Sequence, residues 1–325
     1  MQAGDFGIVM SGVTVRPDRA VSMRFTRPYA VTGSVAIIRR SDSHTFRTPD
    51  DLDRPTVHIA VNRGGHLEQV GRRRFPHAQI HTVERNADLP GLLRRGEVGA
   101  VISEQFEAQG WVADDLALIG PFTRDIKAYA LPAEAVELRR RVDEWLAARE
   151  ADGWLNAQRR RWLGERAVRT APEACFDALA AAIDLRLQLM PLVAAVKRRD
   201  GLPIEDAAQE ARVREHVRSE ATAVGLRPSE VVELFRIQIE AAKAVERVAP
   251  AETVPSDMML ADLRAAITAV SDQVIAELVR CEPWLSDSRR REQLGATLRT
   301  GVTTSGSEPF VGRLVAFLVV GTHRP

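Results

Sequence analysis

The sequence is short of aromatics, has only two cysteines and carries no excess of charge of either sign. Aromatic residues make up 5% of the chain, too few to suggest a base-stacking surface. Lys and Arg number 45 against 44 Asp and Glu, so no global field points to nucleic acid or an anionic membrane. Any use for anions must come from local placement of charge. Cys175 and Cys281 are too few for a disulfide framework and lack metal-ligand spacing. They read either as two buried small apolar side chains or as a single bridge. No run is expected to reach the ~18–20 apolar residues that span a bilayer; Leu314–Val320 is far shorter. The N-terminus shows no basic region followed by an apolar core, the mark of a secretory signal. The expected partners therefore include neither nucleic acid nor membrane.

What is present is 325 residues, 45% apolar and 27% charged, an ordinary globular composition with room for two domains. Up to about residue 170, β-rich runs alternate with helical stretches. The runs are Phe6–Met10, Val35–Ile38, Thr56–Val61, Gln79–Val83, Val98–Ile102, Leu116–Ile119 and Ala128–Leu131. Asp88–Arg95 and Ala133–Arg149 have helical character, and the alternation reads as α/β. Beyond residue 170 the period is helical almost throughout. The expected architecture is an α/β domain over 1–167, a linker at Arg166–Pro172, an all-α bundle over 173–300 and an irregular tail over 301–325. The first domain opens on a strand at about its fifth residue with no preceding βα unit, so either its sheet is small or the chain begins in the middle of a domain.

The helical half has charged side chains where apolar ones belong. At spacings of three and four, the first long helix presents Phe176, Leu179, Ile183, Arg186, Met190, Val193 and Lys197. The two cations are eleven residues apart, so they share a face ~16 Å apart along the axis, with Pro191 as a kink between them. After Gly201-Leu202-Pro203, Asp206 and Glu210 align with Val213 and Val217. The next stripe runs Val232, Phe235, Ile239, Ala242, Glu246, and the fourth Leu260, Arg264, Ile267, Ser271, Val274, Leu278. Burying one unpaired charge is prohibitive, and a buried pair often only breaks even with apolar packing. For any one residue an internal ion pair is the simpler account. Six charged positions across four helices point instead to a polar pocket for an anionic guest.

These residues resemble a family. Arg186, Val193-Ala-Ala-Val-Lys197, Leu202-Pro-Ile-Glu-Asp206, Phe235-Arg-Ile-Gln-Ile-Glu-Ala-Ala-Lys-Ala-Val-Glu246 and Leu263-Arg264 resemble the exported, all-helical chorismate mutases, the AroQ gamma class. The resemblance covers about Cys175 to Trp284 and implies rearrangement of chorismate to prephenate. It implies that Arg186 and Arg264 bind the substrate carboxylates and that Lys197 contacts a carboxylate and the ether oxygen. Asp206 and Glu210 would accept from the ring hydroxyl, and Glu246 would lie at the ether oxygen, where many relatives carry Gln. Position 209 is Gln where the family usually has Arg, and Ala242 replaces a small polar residue. The reaction is pericyclic and implies no cofactor, nucleophile or metal. The class leaves room for a homodimer.

The first half resembles periplasmic solute-binding proteins, among them the cyclohexadienyl dehydratases that convert prephenate to phenylpyruvate. The matching segments are Asp5–Thr14 with Arg19, Phe25-Thr-Arg-Pro-Tyr29, Val61-Asn-Arg-Gly-Gly65, Ile102-Ser-Glu-Gln-Phe-Glu107, Lys127-Ala-Tyr-Ala-Leu-Pro132 and the Trp- and Arg-rich stretch 144–164. The resemblance implies an N-terminally incomplete bilobal α/β fold with Arg19 at a ligand carboxylate, Glu107 as general acid, and Thr14, Glu104 and His66 among the site residues. Ser34 stands where the catalytic Lys is expected, and His66 where a Thr is. The expectation is therefore a mutase fused to a dehydratase-like domain of weak or absent activity. The alternative is a mutase joined to a non-catalytic solute-binding module. Location would be periplasmic or secreted if the full-length form carries a signal. Export would be compatible with a Cys175–Cys281 bridge, since helix ends meet in an up-and-down bundle.

Overall fold

The computed structural model describes residues 7–251 and 253–320. In chain order the first half holds α1 (Pro17–Ala20), β1 (Met23–Phe25), β2 (Ala30–Thr32), β3 (Ser34–Arg39), β4 (His58–Asn62), α2 (His66–Arg74) and β5 (Gln79–Val83). It continues with α3 (Leu89–Arg94), β6 (Ala100–Glu104), α4 (Gln105–Trp111), β7 (Leu116–Ile119), β8 (Asp125–Lys127), β9 (Ala130–Pro132), α5 (Val136–Ala151) and α6 (Trp154–Leu163). The second half is helical: α7 (Ala171–Gln188), α8 (Met190–Arg199), α9 (Ala207–Ala223), α10 (Pro228–Val248), α11 (Leu260–Leu285), α12 (Ser288–Gly301) and α13 (Glu308–Val320). The α/β-then-all-α order read from the sequence is the order found. Of the expected strand Phe6–Met10, Phe6 lies outside the described residues; the rest contributes only a bridge from Val9 to Ala130.

Two compact units divide the chain. One holds 30–127 with 157–168, around a five-stranded sheet of order β5-β4-β6-β3-β7. β4 runs parallel to β5 and β6, while β3 is antiparallel to β6 and β7. Its inner strands β3, β4 and β6 are buried on both faces, which explains near-continuous apolar runs such as Val35-Ala-Ile-Ile38. The other unit holds 7–29, 128–156 and 169–320. There β1 pairs with β9, α5 packs on α7, and Phe25, Ala128 and Ala130 share one apolar core with the bundle. The units part at 168/169, inside the expected linker Arg166–Pro172, but also at 29/30, 127/128 and 156/157, because strand pairing more than 100 residues distant in sequence adds earlier segments to the bundle's unit.

The helical bundle begins at a capping box. The Thr170 side chain meets the N–H of Glu173, and Glu173 accepts from the Thr170 N–H at 2.8 Å. The first long stripe is two helices rather than one kinked helix. Pro191 lacks the N–H that would continue α7, so the chain restarts as α8 after Leu189. Across 171–199 the hydropathy of an 18-residue window averages 1.6, enough by length and composition for a membrane span, contrary to expectation; 83% of that window is buried within the fold. Cys175 and Cys281, inside α7 and α11, form a disulfide.

The expected irregular tail is also corrected, since Glu308–Val320 is helix. Val311, Leu314, Val315 and Leu318 are buried at helical spacing, and α13 packs on α10 and α12. Buried Asp184 anchors the turn before it. Its carboxylate accepts from the N–H groups of Thr303 and Thr304 at 2.9 and 3.1 Å, the Thr304 hydroxyl at 2.8 Å and the Gln188 amide at 2.7 Å. Gly306, at φ +89°, completes the turn; a Cβ there would lie 2.6 Å from Val248 Cγ2.

Candidate active site in the helical bundle

A cavity of about 320 Å³ opens among α7 to α11. All six charged stripe residues (Arg186, Lys197, Asp206, Glu210, Glu246 and Arg264) line it, and Met190, Val193, Ile239, Leu260 and Ile267 give it apolar walls.

Arg186, in the last turn of α7, is 3% exposed. Its Nε donates to Ser271 Oγ at 3.3 Å and its Nη1 to the Gln238 carbonyl at 3.4 Å. The guanidinium carbon sits 5.5 Å from the centre of the Phe235 ring. Burial pushes its pKa down to about 10, so it remains a cation at neutral pH.

Lys197 Nζ donates to the Ile204 carbonyl and to Glu246 Oε2, both at 2.8 Å. Glu246 is buried, and burial lifts its carboxyl above the usual range while the Lys197 hydrogen bond pulls it down. Asp206 caps α9, accepting from the Gln209 N–H at 2.9 Å and pairing with Arg264 at 2.7 Å. The Gln209 bond first, then Arg264, holds its carboxyl below the usual range. Glu210 pairs with Lys243 at 3.2 Å and Arg214 at 3.5 Å. The site thus joins several cations to a carboxyl whose pKa is raised by burial, in a half-apolar enclosure. That suits a small dianion more than a neutral or cationic guest.

Residues 169–247 match the model of chorismate mutase type II, and residues 1–165 that of bacterial extracellular solute-binding proteins, family 3. A secreted chorismate mutase of Mycolicibacterium smegmatis is 31% identical over 131 residues, 38% of this chain and 72% of that protein. The chain belongs to both families. A secreted chorismate mutase of Yersinia pestis is 32% identical over 111 residues, 31% of this chain and 60% of that protein. Cyclohexadienyl dehydratase of Pseudomonas aeruginosa is 30% identical over 163 residues, 49% of this chain and 60% of that protein. The chain therefore spans about 60% of the length of these last two.

In the solute-binding half the expected residues fall in both compact units. Arg19 and Thr14 lie in the unit that contains the bundle, where Arg19 Nη1 donates to the Thr14 carbonyl at 3.2 Å. Burial, then Arg16, lowers the Arg19 pKa. His66, Glu104 and Glu107 belong to the sheet unit. His66 Nε2 lies 3.1 Å from Asp125, which also accepts from the Ser34 hydroxyl at 3.2 Å. Glu104 caps α4, is bonded by the Thr32 hydroxyl and lies 3.5 Å from Lys127; burial raises its pKa. Both Glu107 oxygens are engaged, one by Ser103 Oγ at 2.7 Å and one by the Asn86 amide.

Several residues of the mutase cavity were not singled out from the sequence. Ser271 stood on the fourth stripe but signalled only a polar interruption; it holds Arg186. Arg212, Lys243, His216 and Thr268 also line the cavity. A projection of α10 could have found Lys243, four residues after Ile239 and three before Glu246; it meets Glu210 across helices. Arg212 lies outside the apolar stripe of α9 and gave no such signal.

Proposed function

We propose that this chain is a chorismate mutase, rearranging chorismate to prephenate in the bundle cavity. The observation that carries the reading is the convergence of Arg186, Lys197, Asp206, Glu210, Glu246 and Arg264 on one cavity with apolar walls. In the rearrangement one C–O bond breaks as one C–C bond forms, with no proton or leaving group to move. The protein's task is to hold the folded substrate conformer and to stabilise negative charge growing on the ether oxygen. Arg186, fixed by Ser271 and the Gln238 carbonyl, binds one carboxylate. Arg264 acts on the other, and Asp206 and Glu210 accept from the ring hydroxyl. Lys197 donates to the ether oxygen, and Glu246, when protonated, donates beside it.

The location proposed is outside the cytoplasm. Its relatives include secreted mutases, one matching family is named as extracellular, and a disulfide persists in an oxidising compartment. For the solute-binding half we propose weak or no dehydratase activity. Ser34 is fully buried and donates to Asp125, so it offers no cation in place of the expected Lys. The test is product identification after incubating the whole chain with chorismate and, separately, with prephenate. Prephenate formed from chorismate, with little phenylpyruvate from either, is the expected result. No consumption of chorismate would overturn the mutase reading, and fast phenylpyruvate formation from prephenate would overturn the second.

A further inference from the structure

Five cationic side chains besides His216 line the mutase cavity, and three are neutralised by carboxylates. Lys197 pairs with Glu246 at 2.8 Å, Arg264 with Asp206 at 2.7 Å, and Lys243 with Glu240 at 2.7 Å and Glu210 at 3.2 Å. Arg186 and Arg212 form no ion pair among the described residues. Arg186 is bound by a hydroxyl and a carbonyl, Arg212 by a neutral amide. A dicarboxylate guest therefore meets two cations held in no direct ion pair, Arg212 acting on Asp206 only through space.

We propose that Arg212 is the second carboxylate-binding residue of this cavity, oriented by Gln209 and acting opposite Arg186. The proposal rests on the mutase reading and refines it. Gln209 Oε1 accepts from Arg212 Nε at 3.0 Å and from Nη2 at 2.9 Å, one turn away on α9. This fixes the guanidinium plane and uses two of its five N–H groups, leaving three for a guest. A carboxylate at 209 would orient Arg212 equally well but cancel its charge; the amide orients without cancelling. The resemblance had marked Gln209 as a departure from a family Arg. The structure gives the departure a role, because the cation moves by three residues along the same face of α9 while position 209 becomes its support. Arg264 then keeps Asp206 in place at the cavity and is a secondary contact for the carboxylate.

Arg212 is exposed, whereas Arg186 is buried, so the two differ in what they control. A contact at the rim, made equally in the ground and transition states, acts on KM rather than on kcat. The test is steady-state kinetics of the whole chain with chorismate, for wild type, Arg212→Ala, the double variant Gln209→Arg with Arg212→Ala, and Arg218→Ala. Arg218 is an exposed α9 residue paired with Glu215 and outside the cavity lining. Arg212→Ala is expected to raise KM about tenfold with kcat nearly unchanged, the scale of one charge-assisted hydrogen bond. Restoring an Arg at 209 should recover most of that loss, and Arg218→Ala should leave KM unaltered. An active wild type whose KM is the same in Arg212→Ala overturns the assignment of Arg212 alone. A wild type that does not consume chorismate overturns this assignment together with the mutase reading.

Discussion

Lys197 and Glu246 form a 2.8 Å ion pair in which neither residue is more than 7% exposed. The pair satisfies two buried charges in the free protein, which is what an internal salt bridge would do. It also puts an ammonium and a carboxyl side by side on a cavity wall. Burial outweighs Lys197 and raises the Glu246 pKa, so the carboxyl is closer to protonation than an exposed glutamate.

Only protonated Glu246 can donate to a developing oxyanion, so mutase activity should fall as pH rises through that group's pKa in the complex. Gln donates at any pH with nearly the same shape. Glu246→Gln is expected to retain activity and extend it to higher pH, and Glu246→Ala to lose it. The check is kcat/KM against pH for all three proteins. An identical profile in wild type and the Gln variant, with only a loss of stability, would make the pair purely structural.

Asp143, on α5, is 2% exposed, accepts from the Arg27 N–H at 2.7 Å and meets Arg139 at 2.8 Å. Burial wins over Arg139 and pushes its carboxyl up to about 6. A carboxyl with a higher pKa in the folded than in the unfolded chain binds more protons when folded. Its stabilising contribution is therefore fully present below about pH 4 and is lost as pH rises through about 6. Relative to Asp143→Asn, wild type should lose up to ~3 kcal/mol of stability over that window. Urea denaturation at a series of pH values measures the difference; a flat difference would contradict it.

Asp184 ties the 303–304 turn to α7 through its accepted hydrogen bonds. Asp184→Ala removes the acceptor of the part-buried Thr303 and Thr304 N–H groups and should cost ~1–3 kcal/mol. It should also increase hydrogen exchange in α13, whose attachment begins at that turn. Unchanged exchange in α13 would show that the helix is held by its apolar face alone.

The Cys175–Cys281 bridge closes a separation of 106 residues. Replacing both cysteines by Ala should lower the stability of the bundle by ~2–5 kcal/mol, on the scale expected of a long loop. The comparison is the denaturation midpoint of the oxidised wild type against the double variant. Equal midpoints would mean that tight packing of α7 on α11 already supplies the constraint.

The charged stripe was legible because an amphipathic helix shows its inner face at spacings of three and four, and a cation there is conspicuous. Arg186 and Lys197 stayed on one cavity even though Pro191 split their helix in two. Asp184, two residues from Arg186, was invisible as an anchor because its partners lie some 120 residues later. The helix Glu308–Val320 was hidden behind the Gly-, Ser- and Thr-rich stretch 301–307, which reads as irregular by composition. Membership of β1, β9 and α5 in the bundle's unit depends on long-range pairing and packing, to which local periodicity is blind. Arg212 belongs to a rim, and a rim position looks like any solvated helical arginine until its partner is known.

The central claim is that Lys197 supplies the charge that stabilises the ether oxygen as it leaves. The most direct measurement is the single-turnover rate of chorismate conversion by wild type and Lys197→Ala, with folding checked by circular dichroism. The account predicts a fall of ~10²–10³ in rate with the helical signal intact. A folded Lys197→Ala protein that converts chorismate as fast as wild type would contradict it.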